Sequence, residues 1–134
     1  MKLHIPLLST VLIVALASGS DVMGYYSGDT TVGTAVTTIK GTLNATVGPG
    51  FTITLKRTSG VAVTSLKAGT WRFVVDDKSV NHNFHLTGPG SVNKATTVSQ
   101  IRKITWTVTL KPGTYTYKCD PHATSMKKTF KVIA

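Results

Sequence analysis

The chain has 134 residues and carries 15 Lys and Arg residues against 5 acidic residues, all of them Asp, for a formal net charge of +10. This length fits one domain with a hydrophobic core. An apolar fraction of 41% excludes a disordered chain, and a charged fraction of 15% excludes a coiled coil. Abundant Thr and Val with no Glu favour β-strands. A single cysteine excludes an internal disulfide bond.

The N-terminus has the pattern of a secretory signal. Lys2 precedes an apolar run of 13 residues, Ile5 to Ala17, which ends in the small-residue sequence Ala15-Leu16-Ala17. A helix needs about 20 residues to cross a bilayer, so this run is too short to be a transmembrane segment. We therefore predict that residues 1–17 are a signal peptide and that the mature protein is exported without a transmembrane segment. A buried N-terminal strand and an uncleaved anchor are the alternatives.

The next segment separates this signal from the predicted domain. Residues 18–33 are rich in Ser, Gly, Asp and Thr, which is typical of a linker. Residues 35–45 are compatible with a linker or with a first edge strand. We therefore divide the chain into a flexible leader or first edge strand at residues 18–44 and a folded domain at residues 45–134.

Apolar and polar residues alternate in five segments of this domain, as they do in strands with one buried face. Turn sequences such as Gly48-Pro49-Gly50 and Pro112-Gly113 separate these segments. The pattern predicts an all-β, Greek-key β-sandwich of about seven to eight short antiparallel strands. The predicted inward-facing residues are Phe51, Ile53, Leu55, Trp71, Phe73, Val75, Trp106, Val108, Leu110, Tyr115, Tyr117, Phe130 and Val132.

The same alternation directs three chemically reactive side chains inward. Cys119 continues the face of Tyr115 and Tyr117, and Met126 continues the face of Phe130 and Val132. His82 shares the face of Phe84 and Leu86, so His85 is predicted to face solvent. A β-bulge would exchange His82 and His85, because it shifts the register by one residue.

Residues 119–126 combine a thiol, an imidazole and a thioether within eight positions: Cys119, His122 and Met126. A thiolate and two imidazoles in a trigonal set, with a weak axial thioether, form a blue-copper site. The second imidazole has to come from another segment, and His82 is the candidate that faces inward.

The spacing Cys-x-x-His-x-x-x-Met, preceded by His82-Asn83, resembles the cupredoxins, which are small blue-copper proteins. The resemblance covers roughly residues 45–134. It implies one type 1 copper ion per chain, bound by His82, Cys119, His122 and Met126, and a hydrogen bond from the Asn83 backbone N–H to the Cys119 sulfur. Three residues separate His122 from Met126, whereas plastocyanin-like loops usually have four.

The sequence therefore predicts a one-electron carrier and not an enzyme, because a second catalytic copper would need more histidines than His82, His85 and His122 supply. Copper storage, delivery or resistance and a metal-free interaction module are the alternatives. We expect a monomer with a redox partner protein, and no nucleic-acid binding, since the basic residues are scattered. Four lysines adjoin the predicted ligand loops: Lys94, Lys118, Lys127 and Lys128. They either steer an acidic partner or merely keep the protein soluble.

Overall fold

The computed structural model of the protein describes residues 34–134. The predicted signal peptide at residues 1–17 and the leader at residues 18–33 lie outside the described residues, so both stay predictions. Within residues 34–134, no helix has the length and hydrophobicity needed to cross a membrane.

Within the described residues, nine strands form two sheets that enclose one core. The strands are β1 (Ile39–Val47), β2 (Ile53–Arg57), β3 (Ser65–Lys67), β4 (Gly69–Asp77), β5 (His85–Gly88), β6 (Val92–Ala95), β7 (Arg102–Leu110), β8 (Gly113–Lys118) and β9 (Lys127–Ile133). One sheet has the order β2-β1-β4-β7, and the other has the order β3-β9-β8-β5-β6. A single 3-10 turn, Asp120–His122, interrupts the β structure of the described part of the chain. The predicted all-β sandwich is confirmed.

Two pairs of neighbouring strands are parallel, which differs from the antiparallel sandwich that we expected. β1 pairs with β4, and β3 pairs with β9, in parallel. Alternation of apolar residues reports which face of a strand is buried, but it carries no information about the direction of the neighbouring strand. The strand β1 begins at Ile39 and lies between β2 and β4, so it is an interior strand of its sheet.

The core consists of the inward-facing side chains of both sheets. Aromatic rings form its centre: Phe84 stacks on Tyr117 with ring centroids 5.5 Å apart, and Tyr115 stacks on Phe130 at 5.3 Å. Burial of these rings removes large apolar surfaces from water and contributes to the driving force for folding. The predicted inward-facing residues are all buried, except Phe51.

Phe51 is a correction to the predicted strand pattern. It is 67% exposed and lies before β2, which begins only at Ile53. The backbone turns at this point, since the N–H of Gly48 donates to the carbonyl of Thr52 and the N–H of Thr52 donates to the carbonyl of Gly50. This turn breaks the alternation that the sequence continues through Phe51.

The loops at one end of the sandwich carry the predicted ligands. Residues 48–52 connect β1 to β2, residues 78–84 connect β4 to β5, and residues 119–126 connect β8 to β9. The register places Val47 opposite Asp77, so the first two loops start from adjacent strand ends. Contacts between their side chains, described below, bring all three loops together.

Candidate metal centre

The loop between β8 and β9 is closed by backbone hydrogen bonds that hold Cys119 and His122 in place. The N–H of Cys119 donates to the carbonyl of Met126 at 2.9 Å, which extends the β8–β9 ladder by one pair beyond Lys118 and Lys127. The N–H of His122 donates to the carbonyl of Cys119 at 3.1 Å, and the N–H of Met126 donates to the carbonyl of His122 at 2.8 Å. Pro121 favours this tight turn because its φ is already restricted.

His82 comes from the loop between β4 and β5, and a glycine of the neighbouring loop packs against it. A Cβ atom on Gly48 would lie 2.8 Å from the Cβ of Ser79 and 3.4 Å from the imidazole Cδ2 of His82. Gly48 also has a φ of +71°, a conformation that other residues adopt only with strain. Glycine at this position therefore allows the two loops to approach closely.

The structure brings His82, Cys119 and His122 together at one point. The Nδ1 atoms of the two imidazoles lie 3.0 Å apart, and the Cys119 Sγ lies 3.6 Å from each of them. A point equidistant from the three atoms lies about 2.0 Å from each, close to the length of a bond between zinc and imidazole nitrogen. One sulfur and two nitrogens in a triangle of this size match the trigonal donor set of a blue-copper site. The residues therefore fit a copper ion.

Burial differs among these three residues. Cys119 is fully buried and His82 is 3% exposed, whereas His122 is only partly buried. The ring of Phe51 lies edge-on to both imidazoles, with its centroid 4.8 Å from that of His122 and 5.4 Å from that of His82. The imidazole of His122 therefore reaches the surface of the protein beside an exposed aromatic ring.

Met126 lies next to this cluster through the backbone. It is 1% exposed and is paired with Cys119 by the hydrogen bond described above. Side chains of residues that face each other across two strands lie on the same side of the sheet. Met126 and Cys119 therefore both point into the sandwich at its ligand end.

Asn83 connects the two loops that carry the cluster. Its side-chain N–H donates to Asp120 Oδ2 at 2.8 Å, and its side-chain oxygen accepts from the backbone N–H of Asp120 at 2.7 Å. Asn83 follows His82, and Asp120 follows Cys119, so this paired contact fixes the distance between the two ligand-bearing segments. The Asn83 side chain thus joins the two ligand-bearing loops, and the hydrogen bond from its backbone N–H to the Cys119 sulfur stays a prediction.

Asp120 is an ionised centre beside the cluster. Burial raises the pKa of its carboxyl group, but hydrogen bonds from Asn83, His85 and Lys118 outweigh burial and lower the pKa to about 2. The Lys118 Nζ lies 3.2 Å from Asp120 Oδ1, and the His85 Nδ1 lies 2.8 Å from the same oxygen. A carboxylate that accepts from three donors keeps its charge far below neutral pH.

His85, the other candidate imidazole, lies outside the cluster. It begins β5, is partly exposed, and contacts Asp120 with one nitrogen and Asn93 with the other. The metal-binding group found among residues 34–134 consists of His82, Cys119 and His122. The alternation pattern predicted that His82 faces inward on a strand. His82 is indeed buried, but it lies in the loop before β5.

Two features of the site have weak sequence signals. Phe51 follows a Gly-Pro-Gly turn, which indicates a change of direction but not a contact with imidazoles. The buried pair Thr96 and Asp77 supports the His82 loop, since the Thr96 hydroxyl donates to Asp77 Oδ2 at 2.6 Å and accepts from the backbone N–H of Phe84 at 2.8 Å. In the sequence, Asp77 and Thr96 are simply polar residues at or next to the ends of strands. Polar residues are common at such positions, so they do not indicate a buried contact.

Comparison with known proteins identifies the family. The model of the copper-binding proteins of the plastocyanin/azurin family matches residues 42–133. No curated protein sequence is significantly similar to the chain.

Solved structures of rusticyanins share the fold. A rusticyanin in which one histidine is changed to methionine is 20% identical, with a TM-score of 0.51, and one in which a methionine is changed to glutamine is 19% identical, with the same TM-score. Rusticyanin from Thiobacillus ferrooxidans is 20% identical, with a TM-score of 0.48. Each match covers 69% of this chain and 76% of the other.

The family match spans nearly the whole described domain, and the trigonal donor set lies inside it. The chain therefore belongs to the plastocyanin/azurin family of copper-binding proteins and is a blue-copper protein with a type 1 copper site.

Proposed function

We propose that this protein is an exported one-electron carrier whose copper ion is bound by His82, Cys119, His122 and Met126. The observation that carries the proposal is the triangle of two Nδ1 atoms and one Sγ atom, with sides of 3.0, 3.6 and 3.6 Å. Copper in such a site, when bound, takes up and releases one electron. Export is supported by the pattern of residues 1–17.

The surroundings of the cluster suit electron transfer without bond chemistry. The loops that carry the donors are fixed by the Asn83–Asp120 contact and by the ladder between Cys119 and Met126. A rigid donor set keeps the structural change small when the charge of the metal changes.

The lysines near the site support an acidic redox partner. Lys118 and Lys127 lie directly opposite each other on β8 and β9, and Lys128 follows on β9. Like charges in direct cross-strand contact are unfavourable, and the ion pair of Lys118 with Asp120 at 3.2 Å offsets part of this repulsion. The benefit of these lysines is positive charge on the two strands that flank the loop of His122, which accelerates encounter with a negatively charged partner. Lys94 on β6, the edge strand of the same sheet, adds a further exposed charge.

The contact surface we infer has Phe51 and the edge of His122 at its centre and these lysines at its margin. An apolar centre with a charged rim is the usual arrangement of a transient protein interface. The protein acts as a monomer in this proposal and binds no nucleic acid.

The test measures electron exchange with an acidic redox protein by stopped-flow absorbance at several salt concentrations. We expect complete, reversible oxidation and reduction without loss of copper, and a rate that falls as salt rises. The double variant Lys127→Gln/Lys128→Gln should weaken the salt dependence, whereas Lys40→Gln, at the start of β1, is the matched control. Transfer of the copper ion itself to a copper-free acceptor, instead of an electron, would establish delivery and refute the carrier proposal.

A further inference from the structure

His85 occupies a position that the copper site does not require. Its side chain is 19% exposed, and each of the two ring nitrogens makes a polar contact. Nδ1 lies 2.8 and 2.9 Å from the two carboxylate oxygens of Asp120, and Nε2 lies 2.7 Å from the side-chain oxygen of Asn93. His85 thus joins β6 to the ligand loop after β8.

The chemistry of these contacts selects the protonated imidazole. A carboxylate and an amide oxygen both accept hydrogen bonds, and a neutral imidazole has one N–H to donate. Only the imidazolium form donates to Asp120 and Asn93 together. After loss of the proton, the Asn93 amide has to rotate so that its NH2 donates to Nε2, and the contact with Asp120 becomes a neutral hydrogen bond, which is weaker than a charge-assisted one.

We propose that His85 is a proton-dependent positioning residue for the copper site: its imidazolium clamps Asp120 beside Cys119, and loss of the proton loosens this clamp and lowers the reduction potential of the copper. The inference rests on copper binding by this cluster and not on the identity of the redox partner.

The charges around His85 determine how the clamp responds to pH. Asp120 faces it from the loop after β8 with a negative charge, and Lys118 lies directly across on β8 with a positive charge. On β6 the cross-strand neighbour is Ala95, with Lys94 beside it, and Lys127 lies one strand beyond Lys118. Asp120 stays ionised above about pH 3, because its pKa is about 2. Histidine is the side chain that ordinarily changes its charge between pH 5 and 8.

The coupling to copper follows from the bridging role of Asp120. Its backbone and its carboxylate hold Asn83, the neighbour of His82, and its own neighbour is Cys119. Loss of the His85 proton removes a positive charge from this network, which favours the more positively charged oxidised metal. By reciprocity, the reduced protein should bind the proton more tightly than the oxidised protein.

The test combines two readouts on the full chain. Proton NMR of the metal-free protein between pH 4.5 and 9 follows the His85 ring signal, which is assigned by its absence in His85→Gln. Voltammetry of the copper-loaded protein follows the reduction potential over the same range. We expect the potential to fall as pH rises through the midpoint of the His85 signal, and we expect this step to disappear in His85→Gln.

Two variants separate the clamp from general effects. Asn93→Leu removes the acceptor of Nε2 without touching the ligand loops, so the His85 midpoint should fall in the metal-free protein even if His85→Gln folds poorly. Lys94→Gln removes a nearby charge that does not contact Asp120 in the structure and should preserve the step. An identical pH profile of the potential in wild type and His85→Gln, or an unchanged midpoint in Asn93→Leu, overturns the proposal.

Discussion

Replacing Asn83 with Ala should uncouple the two ligand-bearing loops. The substitution removes a hydrogen bond from the side-chain N–H to the Asp120 carboxylate, at 2.8 Å, and one from the Asp120 backbone N–H to the side-chain oxygen, at 2.7 Å. A neutral hydrogen bond contributes about 1 kcal/mol and one to a charged group about 1.5–3 kcal/mol. Since the Asp120 side chain is 39% exposed, water replaces part of the loss. We therefore expect a decrease of about 2–3 kcal/mol in the free energy of unfolding.

The assay is urea unfolding of the metal-free full chain at pH 7, where bound metal adds nothing to stability. In thermal unfolding of a domain of about 100 residues, the same loss lowers Tm by roughly 10–20 °C. Asn44→Ala, at an exposed position of β1, is the matched control and should change stability by less than about 0.5 kcal/mol.

A double-mutant cycle with Asp120→Ala isolates the contact itself. The two single substitutions should be non-additive, because both remove the hydrogen bond from the Asn83 side-chain N–H to the Asp120 carboxylate. The backbone N–H of residue 120 remains in Asp120→Ala and still donates to the Asn83 side-chain oxygen. If Asn83→Ala destabilises no more than Asn44→Ala, or if the cycle is additive, the contact between Asn83 and Asp120 does not hold the two loops together.

Three further substitutions and a pH series test other parts of the account. The pKa of Asp120 is lowered from 3.8 to about 2, so its negative charge stabilises the folded protein fully above pH 3.8. This contribution is lost as the pH falls through about 2. The difference in free energy of unfolding between wild type and Asp120→Asn, measured in urea, should therefore shrink from pH 7 to pH 2. Phe84→Ala empties a fully buried site and should cost about 3–5 kcal/mol in the same assay. Phe51→Ala, at a residue 67% exposed, should cost less than about 1 kcal/mol but slow electron exchange with the acidic partner; an unchanged rate would remove Phe51 from the contact surface. Gly48→Ala should destabilise by more than 1 kcal/mol, because its φ is +71° and its Cβ would meet Ser79 at 2.8 Å; a neutral effect would mean that the loop shifts freely.

The fold was predictable because alternation along a strand directly reports burial. Trp71, Phe73 and Val75 are all buried, as the period of two predicts. The parallel pairing of β1 with β4 was not predictable, since it depends on where the chain crosses between the sheets. Phe51 shows the limit of the pattern, because a backbone turn ends the strand without any change in the alternation.

The candidate metal centre was likewise predictable only in part. The spacing of Cys119, His122 and Met126 predicts their proximity, since all three belong to one hairpin loop. It was harder to predict which of His82 and His85 faces the site. The prediction relied on strand alternation, and the strand begins only at His85, so the alternation does not apply to His82. The network of Asp120, His85 and Asn93 was not predictable, because its members come from three separate segments and have no characteristic spacing.

Copper ligation by Cys119 is the central claim, and a visible absorption spectrum tests it most directly. The metal-free full chain is titrated with Cu(II), with Cys119→Ser as the matched variant of similar size. We predict an intense band from thiolate-to-copper charge transfer that saturates at one copper per chain, disappears on reduction and is missing in Cys119→Ser. A well-folded protein that gives no such band, or a band that survives in Cys119→Ser, would contradict the account.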